Sequence, residues 1–416
     1  MDDEHMPTHT ALVRLASAMT ALTCAVTVSA GSAGSGTAAR SPVQDLVSPR
    51  TVPGAAQLSQ DAHGVRFHTA GVADVRTGRP IRPTDRFRVG SITKTVIATV
   101  TLQLAAERKL DLDDPVSTHL PAATAALLPC PGDSDSDSDS RDPGCRITVR
   151  QLLTHTSGLF SYTDDRAFFR RFFGPGFTAH RFQTHKPDAL VRTALSHPPH
   201  AAPGERYRYS NTDYLLLGMV IRQVTGHSYA TEAHRRVIAP LRLTGTSFPG
   251  TRAGLPSPHG RAYTTTGATP GATPGATTGT TTGTTTGTTT GNSRTADATY
   301  LNPSSAGAAG ELVSTLPDLN RLFGALLRGT LLPAPELRQM RDTTDSYGRY
   351  GMGLFPVRLP CHRTLWGHNG EISGSYVQTL GTTDGRHLVS YRVNSDAPVD
   401  AAAERALLTA EFCPKA

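Results

Sequence analysis

The stretch from Ser91 to Arg108, SITKTVIATVTLQLAAER, has apolar or small side chains on most sides of the helix it would form. A helix without a polar face must be wrapped by other layers, so this chain has to build a core thick enough to enclose it. With 416 residues and 38% hydrophobic content it has the material to do so. The same stretch contains an oddity. Lysine occurs only at 94, 109, 186 and 415, against a Lys plus Arg total of 41. Arginine does nearly all the cationic work, yet Lys94 stands in the first turn of the segment that must be buried. An ammonium can lose its proton where a guanidinium cannot, so Lys94 points to a task that needs a neutral amine. Ser91 lies three residues earlier, on the same helical face. The positive end of the helix dipole and partial burial both favour the neutral amine, which can then take the serine's proton and activate a weak nucleophile.

The surrounding chain suggests how that helix is enclosed. GVRFHTAGVADVRTGRPI, from Gly64 to Ile81, alternates and breaks at glycines, which predicts a strand pair leading up to Gly90. ITVRQLLTHTSGL and YSNTDYLLLGMVIRQVTG each show a helical period ending at a glycine. Thr315 reads as an N-cap with Asp318 three residues on, a carboxylate variant of the capping box. LWGHNGEISGSYVQTLGTTDGRHLVSYRVNS predicts three antiparallel strands, and DAAAERALLTAEFC a closing helix. The order is strands, helices, strands, helix. It implies an α/β (α+β) chain, with an antiparallel sheet built from both chain ends, flanked by helices, and an all-helical lobe inserted between.

Residues 1–40 read as a signal peptide and flexible N-terminus: Arg14 precedes a small-apolar run from Leu15 to Ala30 and small residues follow. The expected product is a secreted protein of residues 41–416, without a stable membrane anchor. Cys24 falls in the segment to be removed. The remaining Cys130, Cys145, Cys361 and Cys413 favour disulfides in an exported chain, and sequence proximity favours 130 with 145 and 361 with 413 among three possible pairings. The formal charge of +7 comes from scattered arginines with no basic run or nucleic-acid motif, so it reads as a solvated surface. DSDSDSDSRDPG lacks the glycine and glutamate of a calcium loop at the required offsets and reads as a solvated, disulfide-closed loop. Thr264 to Gly291, rich in threonine and glycine with a four-residue period, cannot build a core and reads as a flexible surface insertion. HPPH, His197 to His200, has no partner spacing for zinc, and the phenylalanine-rich run Ala167 to Phe177 is read as helix packing.

Two further motifs supply chemistry. In APGERYRYSNTDY, Tyr209 and Asn211 place a phenol and an amide on one short loop, able to carry a proton and to orient a carbonyl. In LWGHNGEISG, His368, Asn369 and Gly370 lie on a predicted strand, where Gly370 would let a substrate backbone come close. His155, in THTSGL, is read as holding its loop.

Taken in order, FRVGSITK, ITVRQLLTHTSGL, PGERYRYSNTDYLLLG, AGAAGELVSTLPDLNRL and YGMGL through WGHNGEISG resemble the serine beta-lactamase and penicillin-binding superfamily, from about Val43 to Cys413. Within it the chain is similar to secreted actinobacterial D-alanyl-D-alanine carboxypeptidases and their class C beta-lactamase relatives. The resemblance implies Ser91 as the acylated nucleophile, Lys94 as its proton partner, Tyr209 as the proton carrier to the leaving group and His368 in the place of a family lysine. It implies substrate contacts from Asn211, Asn369, Gly370 and Glu371, with the backbone N–H groups of Ser91 and Glu371 as the oxyanion hole. A disulfide near Cys361 and Cys413 also matches the family. The implied activity is a monomeric serine hydrolase acting on peptidoglycan stem peptides, or alternatively on a beta-lactam or an ester, without metal or organic cofactor; a third reading is a non-catalytic beta-lactam or cell-wall binding protein. One departure stands out: where the similar carboxypeptidases keep an arginine for the substrate's terminal carboxylate, the count from His368 reaches Phe355.

Overall fold

The Ser91 segment becomes a helix, Ile92–Ala106, buried along nearly its whole length in the computed structural model, which describes residues 41–413 apart from 49, 129–146 and 267–293. Its threonine hydroxyls are all paired with main-chain oxygens: Thr95 Oγ1 donates to Gly353 O at 2.7 Å, and the others bond backward. Thr99 Oγ1 donates to Thr95 O at 2.7 Å and Thr101 Oγ1 to Ile97 O at 2.9 Å. Each of its fully buried Val, Ile and Leu side chains contributes roughly 1.5–3 kcal/mol relative to exposure.

The wrapping comes from both chain ends. The strands are β1 Gly54–Asp61, β2 Gly64–Gly71, β3 Phe87–Arg88, β4 Tyr263–Thr266, β5 Arg294–Asp297, β6 Val313–Ser314, β7 Phe355–Arg358, β8 Thr364–Ile372, β9 Ser375–Thr382 and β10 Leu388–Val393. Six of them form an antiparallel sheet in the order β2-β1-β10-β9-β8-β7. β3 pairs with β6 and β4 with β5. The central helix and helix Leu316–Leu327 pack against this sheet, and the closing helix Ala401–Phe412 joins a second core with Tyr376, Leu380 and Tyr391. Between β3 and β4 run the helices Val149–Thr154, Arg166–Phe172, Pro187–Leu195 and Asn211–Thr225, the inserted helical lobe. No helix among the described residues is long and apolar enough to cross a membrane.

The structure corrects several local expectations. The strand pair lies earlier than predicted: its first member is β1, GAAQLSQD, and residues after Gly71 turn away. β1 was illegible because it is central, between β2 and β10, with both faces largely buried and no alternation. Helix Val149–Thr154 has a complete Thr148–Gln151 capping box but ends at His155 with φ 59°, not at a glycine. Helix Asn211–Thr225 does end at Gly226, with φ 74°. Thr315 caps its helix, but the Asp318 carboxylate accepts from Gly245 N and Thr246 Oγ1 instead of closing a box. Thr264 and Thr265, at the start of the expected insertion, pair with β5 as part of β4, and Asp396 accepts from both. Cys361 and Cys413 are bridged, with Cα atoms 5.9 Å apart. The signal segment, the Cys130–Cys145 pairing and the rest of the threonine tract lie outside the described residues.

Candidate active site

Ser91 is the N-cap residue of the central helix, but its hydroxyl caps nothing. It lies instead 3.0 Å from Lys94 Nζ. The amine is wholly buried and has two other neighbours, Asn211 Oδ1 at 2.7 Å and the main-chain oxygen of Ala309 at 2.7 Å. Both of those oxygens can only accept. A neutral amine has two N–H bonds and one lone pair, so the two acceptors use both hydrogens and the lone pair is left facing Ser91 Oγ. Burial pushes the Lys94 ammonium well below its ordinary value, partly offset by the charge of Asp213. Burial thus favours the neutral lysine, and in that form the contacts leave its lone pair placed to accept the serine's proton.

Asn211 is fixed from the other side as well. Its Nδ2 donates to Thr163 Oγ1 at 3.0 Å, and its backbone N–H donates to Ser161 Oγ at 3.1 Å. Tyr209, two residues before it, is buried with its ring 4.8 Å from Lys94 Nζ, and its hydroxyl has no hydrogen-bond partner. Burial raises the phenol well above its ordinary value, although an interaction with Ser91 works the other way. It is therefore a protonated phenol and a donor, not a phenolate base.

His155 holds this loop. Its carbonyl accepts from Arg208 N at 2.9 Å, its ring lies 4.3 Å from that of Tyr209, and its Nδ1 is 2.9 Å from Asp213 Oδ2. Asp213 also accepts from Ser157 Oγ at 2.6 Å. Burial lowers the imidazolium of His155 and raises the Asp213 carboxyl, the latter partly offset by the Ser157 hydrogen bond and the charge of Lys94. Sequence reading gave His155 this holding part but missed Asp213, Ser157, Ser161 and Thr163. The one signal for Asp213 is a carboxylate within the otherwise apolar run that begins helix Asn211–Thr225.

β8 approaches the nucleophile through two glycines. A Cβ on Gly370 would lie 1.9 Å from Val89 O and 2.9 Å from Ser91 N, and one on Gly90, where φ is +50°, would lie 2.6 Å from Glu371 N. Gly370 thus admits the close approach of the protein's own turn. The contact brings the backbone nitrogens of Ser91 and Glu371 into one neighbourhood. The Glu371 carboxyl is pushed up to about 8 by burial and by Asp396. Asn369 is buried and its side chain interacts with Tyr376, not with the serine–lysine group.

His368 is buried, and burial pushes it down to about 3. Its Nδ1 faces the Asn369 carbonyl, which can only accept, so Nδ1 carries the hydrogen and Nε2 accepts from Tyr350 Oη at 2.8 Å. With both ring nitrogens engaged, His368 is a neutral group that positions β8. Phe355 packs its ring 5.3 Å from that of His368, while Arg358 and Arg363 are exposed. Among the described residues, the grouping with ligand-like spacing is Asp61, His387 and Glu411, but Arg66 already pairs with Asp61 and Glu411 at 2.9 Å each. The phenylalanine run packs as expected, with Phe168 and Phe172 buried 4.6 Å apart, and His197 stacks on Phe160 at 4.1 Å.

A sequence profile of the family described as Beta-lactamase matches residues 41–412. The chain belongs to this family. The fold is that of a D-stereospecific amidohydrolase from Streptomyces sp., 38% identical, with 90% of this chain and 98% of that one covered and a TM-score of 0.73. A D-amino acid amidase from Ochrobactrum anthropi SV3, in complex with L-phenylalanine, is 25% identical over 85% and 90% of the two chains, with a TM-score of 0.65. Esterase EstB of Burkholderia gladioli is 30% identical over 208 residues, 49% of each protein. The matches span between 31% and 49% of the length of such curated relatives.

Proposed function

We propose that this protein hydrolyses amides of D-configured amino acids and short peptides through an acyl-Ser91 intermediate. The observation that carries the mechanism is the hydrogen-bond arrangement at Lys94, which leaves one lone pair and aims it at Ser91. Lys94 takes the Oγ proton as Oγ bonds to the substrate carbonyl carbon. Negative charge develops on the carbonyl oxygen beside the Ser91 and Glu371 N–H groups. The proton passes to the leaving amine with Tyr209 as carrier, the C–N bond breaks, and water then releases the acid from Ser91.

The substrate class rests on similarity to the Streptomyces amidohydrolase across nearly its whole length. The D-alanyl-D-alanine carboxypeptidase reading calls for a cation at the substrate's terminal carboxylate, and Phe355 beside His368 offers none. Similarity to EstB supports ester hydrolysis as a second reading at the same serine. Export and a monomeric state remain part of the proposal, checked by the N-terminus and size of the protein recovered from culture medium.

The test is a panel of D- and L-phenylalanine amide, an acyl-D-alanyl-D-alanine peptide, a short-chain ester and benzylpenicillin. The proposal expects fastest amide release from the D-amide. Preference for the dipeptide, with a lasting penicilloyl adduct, would return the stem-peptide reading; turnover of the ester alone would leave the esterase.

A further inference from the structure

A second polar site lies beyond the catalytic group, in a cavity walled by Arg88, Arg392, Ser373, Ser375 and Thr299. Arg88, in β3, is 3% exposed; its Nη2 donates to Ala253 O at 2.6 Å and Leu301 O at 2.9 Å, but Nε and Nη1 have no partner. Arg392, in β10, is 4% exposed; its guanidinium lies 4.1 Å from the ring of Phe87, and its Nε has no partner. No carboxylate lines the cavity. The acids that act on these arginines are committed elsewhere. Glu311 accepts from Tyr229 Oη at 2.7 Å and Asp85 pairs with Arg79 at 3.1 Å. Burial lowers both guanidiniums only to about 10, so both stay charged at neutral pH. Two buried cations with idle N–H groups and no counter-charge between them are costly unless an anion joins them.

We propose that one small inorganic anion, of chloride size, binds between Arg88 and Arg392. The space is small, on the scale of a single water-sized group, so a monatomic anion fits it with less rearrangement than sulfate, phosphate or an organic carboxylate would need. The anion neutralises part of the buried charge and braces β3 against β10. Its position gives it leverage on catalysis, because Arg88 is followed directly by Val89, Gly90 and Ser91, and Arg88 O accepts from Ser375 Oγ at 2.8 Å.

Thermal unfolding in sodium chloride against sodium gluconate, at equal ionic strength, tests this. The expected result is a saturable chloride-specific rise of about 2–4 °C in Tm, absent from Arg392→Met, which keeps an apolar stem against Phe87. Equal shifts in the two salts would overturn the proposal, as would an unchanged chloride response in Arg392→Met. If that variant does not fold, anomalous diffraction from wild-type crystals in sodium bromide decides: a peak between the two guanidiniums supports the site, and a cavity without one overturns it.

Discussion

Replacing Gly370 by alanine separates catalytic geometry from stability. The new Cβ would begin 1.9 Å from Val89 O, whereas a carbon and a carbonyl oxygen settle at about 3.3 Å, so strand and turn must part by about 1.4 Å. Overpacking of this kind typically costs about 1–3 kcal/mol of stability. The displacement falls on the turn that carries Ser91 and on the backbone before Glu371, and misplacement by about 1 Å costs on the order of 10²-fold in rate. The assay is kcat for D-amide hydrolysis alongside Tm. The control is Gly381→Ala in β9, whose Cβ would press on side-chain ends, Leu388 Cδ1 at 2.5 Å and Leu327 Cδ1 at 2.9 Å. Gly370→Ala should lose about 100-fold or more in kcat; Gly381→Ala should lose stability and keep its rate. If Gly370→Ala turned over within about threefold of the wild type, the reading of β8 as a backbone-positioned wall of the site would be refuted.

Lys94→Arg puts a permanent cation in place of the neutral amine and removes the proton acceptor, so acylation should fall by about 10²–10⁴-fold, read by stopped-flow with an ester; near-normal acylation would show that Lys94 acts only as a fixed charge. Stability should peak on the acid side of neutrality. His155 and His368 are held below 6.5, so the unfolded chain binds their protons first and stability falls as pH drops below that value. Glu311 and Glu371 are raised from 4.5 to about 7 and about 8, so their cost grows as pH climbs through that range. Urea midpoints from pH 4 to 9 should show the dome, with the alkaline limb flatter in Glu371→Gln; an identical limb in that variant would count against the assignment. Cys413→Ser should destabilise by about 2–4 kcal/mol, because the bridge closes a sequence separation of 52 residues; an unchanged urea midpoint would show that the bridge contributes nothing.

The buried helix, the Ser91–Lys94 pair, the Tyr209–Asn211 loop and strands β8 to β10 were readable because each leaves a local mark: an all-apolar run, a rare lysine, or alternation between turns. β1 left none, since a central strand of small residues buried on both faces has no period to detect. At Gly370 the sequence pointed to a close approach by substrate, and it could not show that the chain's own backbone also comes close there. The acceptors that engage the N–H groups of Lys94 were equally hidden. Ala309 contributes only a carbonyl, which every residue has, and it lies 215 positions away. The paired nitrogens of His368 depend on Tyr350, whose role appears only once β7 and β8 are in place.

The most direct test of the acyl-serine mechanism is the intact mass of the protein, quenched during turnover of a D-amino acid ester and followed by peptide mapping. The account predicts an increase equal to the acyl group, located on Ser91 and absent from Ser91→Ala, which should also lose turnover. An adduct on another residue, or hydrolysis that survives Ser91→Ala, would contradict it.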